Sequence, residues 1–486
     1  MKKNNTLNNF MVTSGKWLHN ALKWCSLAAR INVGAVCSGE IGYLFSANGK
    51  FIRGLEYIHG FLRKQNYNEA FKWFYEAAKR GHAEAQYCLG TCYLNGYGVV
   101  ENIRDGLKWI SKSADQGYAE AQYYLAICYC NGLGVEKNVQ EGLKWLSKSA
   151  EQGHTEARYQ LGMFYSEGDI VEQDFKKATD FFSKAAQKGH IEANYYLAIC
   201  YKHGWGVKKD RRKYIGLLQY AAEHGYSQAQ CVLGIYYSRG DSGKQNYLEA
   251  VRWFYESAIQ GNSDGQYWLG TSYCRGWGVK QNFDKAFMLF SKAAEQKNIK
   301  ALCGLGNCYY YGYSVEVNYE KAIAYFREAS EKGLPEAQYQ LGLCYELGDG
   351  VQEDYAKAAQ LYLMAARQGY SDAQLEIGMC FELGRSCFEQ DLVEATKWYY
   401  KAAVNGNYFA QWRLWICYSQ GYGVKKNYRI AVKWLRKSAK QGYASAQQML
   451  GYCYHKGIGV KKNDAQAVKW FLAELKNKSE YRISDN

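Results

Sequence analysis

Sixteen cysteines and eight histidines are the side chains of this 486-residue chain best suited to hold a metal or act as nucleophiles, and their spacing speaks against both. A zinc site is built from closely spaced ligands such as Cys-x-x-Cys or His-x-x-x-His, and neither spacing occurs. His82, His154 and His190 each follow a glycine at one recurring place, and the other histidines are scattered. Eight cysteines recur at a second place, Cys92, Cys128, Cys200, Cys308, Cys344, Cys380, Cys417 and Cys453, where other stretches carry Phe164, Tyr236 or Ser272. A position shared by Cys, Ser and aromatics is a packing position in which the thiol serves as a small hydrophobe. Unpaired cysteines in this number imply a reducing compartment, the cytoplasm or a host cytosol reached by secretion. Gly240-Asp241-Ser242-Gly243-Lys244 has the outline of a nucleophile loop or a phosphate loop, yet Gln245 stands where a phosphate loop needs Ser or Thr. The Gly-x-Gly pairs Gly132/Gly134 and Gly204/Gly206 lack a third glycine and follow a helix, where a dinucleotide fold has a strand. No acid–base pair stands out, so the expectation is no enzyme, with no catalytic residue, no cofactor and no metal.

The elements that carry these residues repeat every 36 positions, with one step of 37. Turn glycines fall at Gly81, Gly117, Gly153, Gly189, Gly225, Gly261, Gly333, Gly369, Gly406 and Gly442, with Lys297 in the one slot that lacks glycine. Eight residues upstream stands a large apolar group (Trp73, Trp109, Trp145 and on to Trp398 and Trp434), read here as core. Three upstream is a small one, from Ala78 to Ala439. Downstream, Leu or Ile eight past the glycine and an aromatic twelve past it mark the buried stripe of a second helix. A second glycine fifteen past the first, from Gly96 to Gly457, fits a left-handed helix cap, and a valine three residues later plugs the joint between repeats. The only proline, Pro335, opens a second helix, where a missing N–H is tolerated. A period of this length is the signature of a solenoid whose repeats bury their apolar faces against one another.

Written out across one repeat, Ala70-x-x-Trp73-x-x-x-Ala77-Ala78, Gly81-His82, Glu84-Ala85-Gln86, Leu89-Gly90, Tyr93 and Asn95-Gly96-x-Gly98-Val99 resemble the Sel-1-like repeat, a relative of the tetratricopeptide repeat. The resemblance covers residues 66–462 in eleven repeats. It implies an all-α fold, an α/α superhelix forming a right-handed solenoid, with a concave groove that holds a protein or peptide partner. Around it the pattern predicts an N-terminal tail over 1–29, partly helical, a degenerate first repeat over 30–65, a capping helix over 463–476 and a polar tail over 477–486. Asn4 to Asn9 and Lys16 interrupt any apolar leader, and no stretch reaches the roughly 18 apolar residues of a membrane span.

Two features point to partner contact. The slot six past the glycine reads Tyr87, Tyr123, Tyr159, Tyr195, Cys231, Tyr267, Cys303, Tyr339, Leu375, Trp412, Gln448. Its aromatics form a ladder that is either packing between repeats or a binding stripe, since Tyr and Trp are favoured at interfaces. Trp415 replaces the small residue nine past the glycine, just after the repeat lengthened by one residue, which predicts a local bend in the superhelix over 385–415 with Trp412 and Trp415 exposed beside it as a partner contact. The net charge of +15 is uneven: +11 over residues 1–314, −8 over 315–397 and +12 over 398–486. The basic turns (Lys208, Lys209, Arg211, Arg212; Lys425, Lys426; Lys461, Lys462) offer a second reading, attraction to nucleic acid or an anionic membrane surface, beside that of ordinary solvated loops.

Overall fold

Asn and Asp start the first helix of each repeat. Asn102, in extended conformation, accepts the Asp105 N–H on its Oδ1 at 3.1 Å, satisfying one of the donors a helix leaves unpaired at its N-terminus. Its own N–H donates to Tyr93 O at 2.8 Å, at the end of the preceding second helix. One residue thus opens a helix and fastens it to the one before, and Asn138 and Asn318 do the same onto Tyr129 and Tyr309. Six of the second helices open on His82, His154, His190, Asn262, Asn298 and Asn407, whose side chains accept the N–H three residues on, while those that open on Tyr118, Leu334, Tyr370 and Tyr443 have no side-chain cap bond.

The computed structural model describes residues 46–484, except 61, 242, 386 and 387, with side chains up to 476. Among the described residues there are 24 helices, from Ala47–His59 to Asp464–Ser484, and no strand. The architecture is an all-α array of helical hairpins, as the repeat implied. The chain divides at 229/230 into two compact units, residues up to Ala229 and from Gln230 onward. All of the predicted N-terminal tail, and residues 30–45 of the degenerate repeat, lie outside the described residues. The last helix, Asp464–Ser484, runs on past 476. No described helix is long and apolar enough to cross a membrane.

Both glycine columns take positive φ, from Gly81 at 86° and Gly96 at 68° to Gly457 at 75°. Lys297 adopts the same left-handed conformation at φ 63°, so the turn survives the loss of its glycine. Valines past the second glycine, among them Val171, Val207, Val315, Val351, Val424 and Val460, pack on the core clusters as expected. Pro335 is the first residue of its helix.

The column read as core needs a correction. Trp73, Trp109, Trp145, Trp253 and Trp398 are half-buried, and the residue after each fills the interior: Phe74, Ile110, Leu146, Phe254 and Tyr399 are at most 2% exposed. A step of 100° along a helix separates the two columns. The larger one lies at the edge, where lysines cover its rings, as Lys112 Nζ does 4.3 Å from the Trp109 centroid and Lys401 Nζ 3.7 Å from Trp398. Only Trp434 and Leu289 in that column are buried.

The inner column is matched to the small residue nine past the turn glycine. Gly162, Gly234, Gly270, Gly306, Gly342, Gly378 and Gly451 each face an aromatic ring of the next first helix, and a Cβ on any of them would fall within 3.0 Å of it. Where the small residue is Ala126 or Ala198, the inner residue 20 positions on is instead Leu146 or Leu218.

Candidate partner-binding surface

The aromatic ladder follows the seam between neighbouring repeats. Six of its rings pack on the residue just past the turn glycine of the next repeat: Tyr123 and Tyr159 stack on His154 at 4.7 Å and His190 at 4.5 Å, Tyr87, Tyr195 and Tyr339 meet Tyr118 at 5.5 Å, Tyr226 at 5.1 Å and Tyr370 at 5.4 Å at a tilt, and Trp412 meets Tyr443 edge-on at 5.8 Å. Tyr267 packs on Trp268 and Phe290. Tyr87 and Tyr123 are buried, whereas Tyr159, Tyr195, Tyr267, Tyr339 and Trp412 keep one edge in solvent.

Trp412 and Trp415 are not exposed, as the sequence had suggested; both are half-buried, stacked on one another at 4.9 Å and packed on the Val432, Leu435 and Leu450 cluster. The indole fits because Leu435 stands where other repeats place a ring. The Trp415 Nε1 is buried without a hydrogen-bond partner. The extra residue of the long repeat is absorbed in its loop, since Asp391 N–H still reaches Phe381 O at 2.9 Å and starts its helix normally.

A polar seam runs beside the ladder. Gln116 Nε2 donates to Gln86 Oε1 at 2.6 Å, Gln152 to Gln122 at 2.6 Å, Gln296 to Gln266 at 2.9 Å, Gln368 to Gln338 at 2.8 Å and Gln441 to Gln411 at 2.9 Å. The acceptors Gln86, Gln122, Gln266, Gln338 and Gln411 are buried and the donors are exposed. The bonds favour one register of a repeat on the next, since a slip would leave the buried amides without these partners. The sequence signal for them is a glutamine just before the turn glycine and another five past it.

The cap histidines join this seam. His190 Nε2 donates to Glu156 at 2.9 Å while its Nδ1 accepts the Ala193 N–H at 3.2 Å. Burial opposes the charged form of His190, but the Glu156 carboxylate outweighs it and raises the pKa. Burial pushes His154 down to about 4, against the pull of Glu156 and with help from His190. Asn298 and Asn407 repeat the contact without charge, donating to Asp264 at 2.9 Å and Asp372 at 2.8 Å.

In the unit beginning at Gln230, carboxylates are held by tyrosine hydroxyls. Tyr310 donates to Asp349 at 2.5 Å, Tyr362 to Glu346 at 2.5 Å, and Tyr399 to Glu382, which also pairs with Arg413. Glu346, Tyr355, Tyr362, Glu376 and Arg385 line one shallow cleft. Burial, then the negative charges of Glu346 and Asp372, lift the Glu376 carboxyl to about 7 against the opposing Arg385. None of these pairings was foreseen from the sequence. The basic turns are exposed at Lys208, Lys209, Arg211, Arg212, Lys425, Lys426, Lys461 and Lys462. No disulfide joins two of the thirteen described cysteines, and burial lifts Cys92, Cys128 and Cys344 to about 12. Ser242 of the glycine-rich loop lies outside the described residues.

Twelve consecutive segments match the Sel1 repeat family: 51–82, 83–118, 119–154, 155–190, 191–226, 227–262, 263–298, 299–334, 335–370, 371–407, 409–443 and 444–473. Most of them run from a second helix through the following first helix, the two that Gly306 and its counterparts bring together. A protective antigen of uropathogenic Escherichia coli displaying an SLR fold is similar at 32% identity, over 85% of this chain and 90% of its own, with a TM-score of 0.54. A Sel1 repeat protein from Oxalobacter formigenes is similar at 30% identity, over 52% of this chain and 99% of its own, with a TM-score of 0.44. No curated protein matches.

Proposed function

Because the chain belongs to the Sel1 repeat family, whose repeats generally mediate protein–protein interaction, we propose that it is a non-enzymatic adaptor binding a protein or peptide partner. The observation that carries this reading is where large apolar side chains meet solvent. Among the described residues, 6 such side chains precede Gln230 and 21 follow it, so the second unit presents the surface a polypeptide would cover. The half-buried members of the aromatic column (Tyr159, Tyr195, Tyr267, Tyr339 and Trp412), with Trp415 stacked on the last of them, offer ring edges to the same partner, and Tyr87 and Tyr123 contribute by fixing the seam. Buried thiols such as Cys92, Cys128 and Cys344, which form no disulfide among the described residues, support a reducing compartment such as the cytoplasm.

One observation favours a second reading, attachment to nucleic acid or an anionic surface: the basic turns are exposed to solvent. Immobilised full-length chain, challenged with lysate and with duplex DNA, separates the two. A defined polypeptide retained as salt rises from about 50 to 200 mM supports the adaptor. Retention of polyanions alone, lost over that range, overturns it.

A further inference from the structure

Two changes coincide in consecutive repeats. The inner column is Phe, Leu or Ile in nine of eleven repeats and becomes Tyr only at Tyr362 and Tyr399. The residue thirteen past the turn glycine, elsewhere Leu94, Cys130, Ser166, Lys202, Ser238, Cys274, Tyr310, Ser419 or His455, becomes Glu only at Glu346 and Glu382, the partners of those two hydroxyls. A buried phenol needs one acceptor, and a serine or an amide would supply it without charge. Carboxylates do more than satisfy the phenol.

The next position along changes in the same place. Fourteen past the glycine, the second helix ends on Asn, Glu, His, Arg, Gln or Lys in eight repeats, but on Tyr311, Leu347 and Leu383 in three consecutive ones, exposed by 49, 60 and 52%. Leu347 and Leu383 fall within the segment of charge −8 over 315–397, and Tyr311 just before it, in a chain whose total is +15.

We propose that this face, with Tyr311, Leu347 and Leu383 as apolar anchors and Glu346, Asp349 and Glu376 as its charge, docks a basic amphipathic segment of a protein partner. The assignment rests on the adaptor reading and adds the chemistry of the partner. Each tyrosine occupies one lone-pair direction of its carboxylate and leaves the others for Lys or Arg donors. An orientation fixed in advance reduces the ordering that binding would otherwise demand. Charge sets encounter and selectivity, while the apolar anchors supply most of the affinity. Glu376, whose carboxyl sits near 7, releases its proton when a cation arrives.

The test uses the full chain and a fluorescent amphipathic peptide of leucine and lysine, roughly 18 residues long so that it holds a helix. A leucine–glutamate peptide and oligolysine serve as comparisons. The leucine–lysine peptide is expected to bind at about 0.1 M salt, the leucine–glutamate peptide not at all, and oligolysine at least ~10-fold more weakly. Leu347→Ser with Leu383→Ser, and separately Glu346→Gln with Glu376→Gln, should each weaken binding about 10-fold while far-UV circular dichroism and melting stay near wild type. Calorimetry in two buffers of different ionisation enthalpy should show proton release that the second pair abolishes. Absent binding, or binding unmoved by both pairs, overturns the inference. If a natural polypeptide is captured with affinity unchanged by both pairs, the adaptor stands and this face falls; if no polypeptide is captured, the adaptor itself falls.

Discussion

Gly306 and Phe326 provide the strictest test of the packing. A Cβ on Gly306 would lie 2.5 Å from Phe326 Cε1 and 2.6 Å from Cδ1, and Phe326 is 0% exposed. Ordinary carbon contacts are about 3.5–4.0 Å, so the ring would have to retreat by about 1 Å into a filled interior. Overpacking of that kind costs about 1–3 kcal/mol, whereas replacing a helix-interior glycine by alanine otherwise stabilises by up to ~1 kcal/mol. Gly306→Ala should therefore destabilise by roughly 1–2 kcal/mol. Phe326→Leu alone should lose about 1–2 kcal/mol through reduced burial. In the Phe326→Leu background the sign reverses, and Gly306→Ala stabilises by up to ~1 kcal/mol, because the pair then matches Ala126 with Leu146 and Ala198 with Leu218. Urea denaturation of the four proteins by circular dichroism gives the cycle, with m-values compared because long arrays lose all-or-none behaviour. Equal effects of Gly306→Ala in both backgrounds, within ~0.5 kcal/mol, would refute the reasoning.

Lys297→Gly should stabilise by about 1 kcal/mol, since a lysine at φ 63° bears a left-handed strain that glycine does not; an unchanged or lower denaturation midpoint contradicts this. His154 has a folded-state pKa depressed to about 4, so its contribution is present above the unfolded value near 6.5 and is lost as pH falls toward 4, by up to roughly 3 kcal/mol. His154→Asn keeps a cap of the kind seen at Asn262 and should flatten that part of the stability–pH curve; parallel curves for both proteins would remove the histidine as the cause. Thiol labelling at pH 8 should reach the half-buried Cys274 and Cys380 before the buried thiols such as Cys92 and Cys344, and in denaturant it should count sixteen; a lower count in denaturant means disulfides.

The period, both left-handed glycine columns and the cysteine column were legible because each depends on one residue type at one backbone conformation or one tight space. The core column was misplaced by one residue for a physical reason: tryptophan is the larger side chain, but its rim position suits it, with lysine stems over the ring, while the interior admits only what the facing glycine allows. Matching Gly306 to Phe326 and Ala126 to Leu146 shows that the information was present, but in pairs 20 residues apart rather than in either residue alone. The tyrosine–carboxylate pairs were harder still. Tyr362 looks like any other aromatic of its column, and Glu346 like any helix-surface acid, until the two helices are laid together. Trp415 was correctly marked as unusual and wrongly turned outward, because Leu435, not a ring, faces it.

The glutamine bonds from Gln116 to Gln86 and from Gln152 to Gln122, like the serine bonds from Ser113 to Ala83 O and from Ser149 to Ala119 O, each span 30 residues. Between repeats that both carry these pairs, such as those around Gln116 and Gln152, recombination that removes or duplicates a whole period returns each donor to an equivalent acceptor. Copy number can then drift in the gene while each surviving junction keeps its chemistry. Point changes confined to a few repeats, such as those at Glu346 and Glu382, are by contrast local signatures that a duplication would carry along intact, which makes the length of a binding face, and not merely its composition, open to selection.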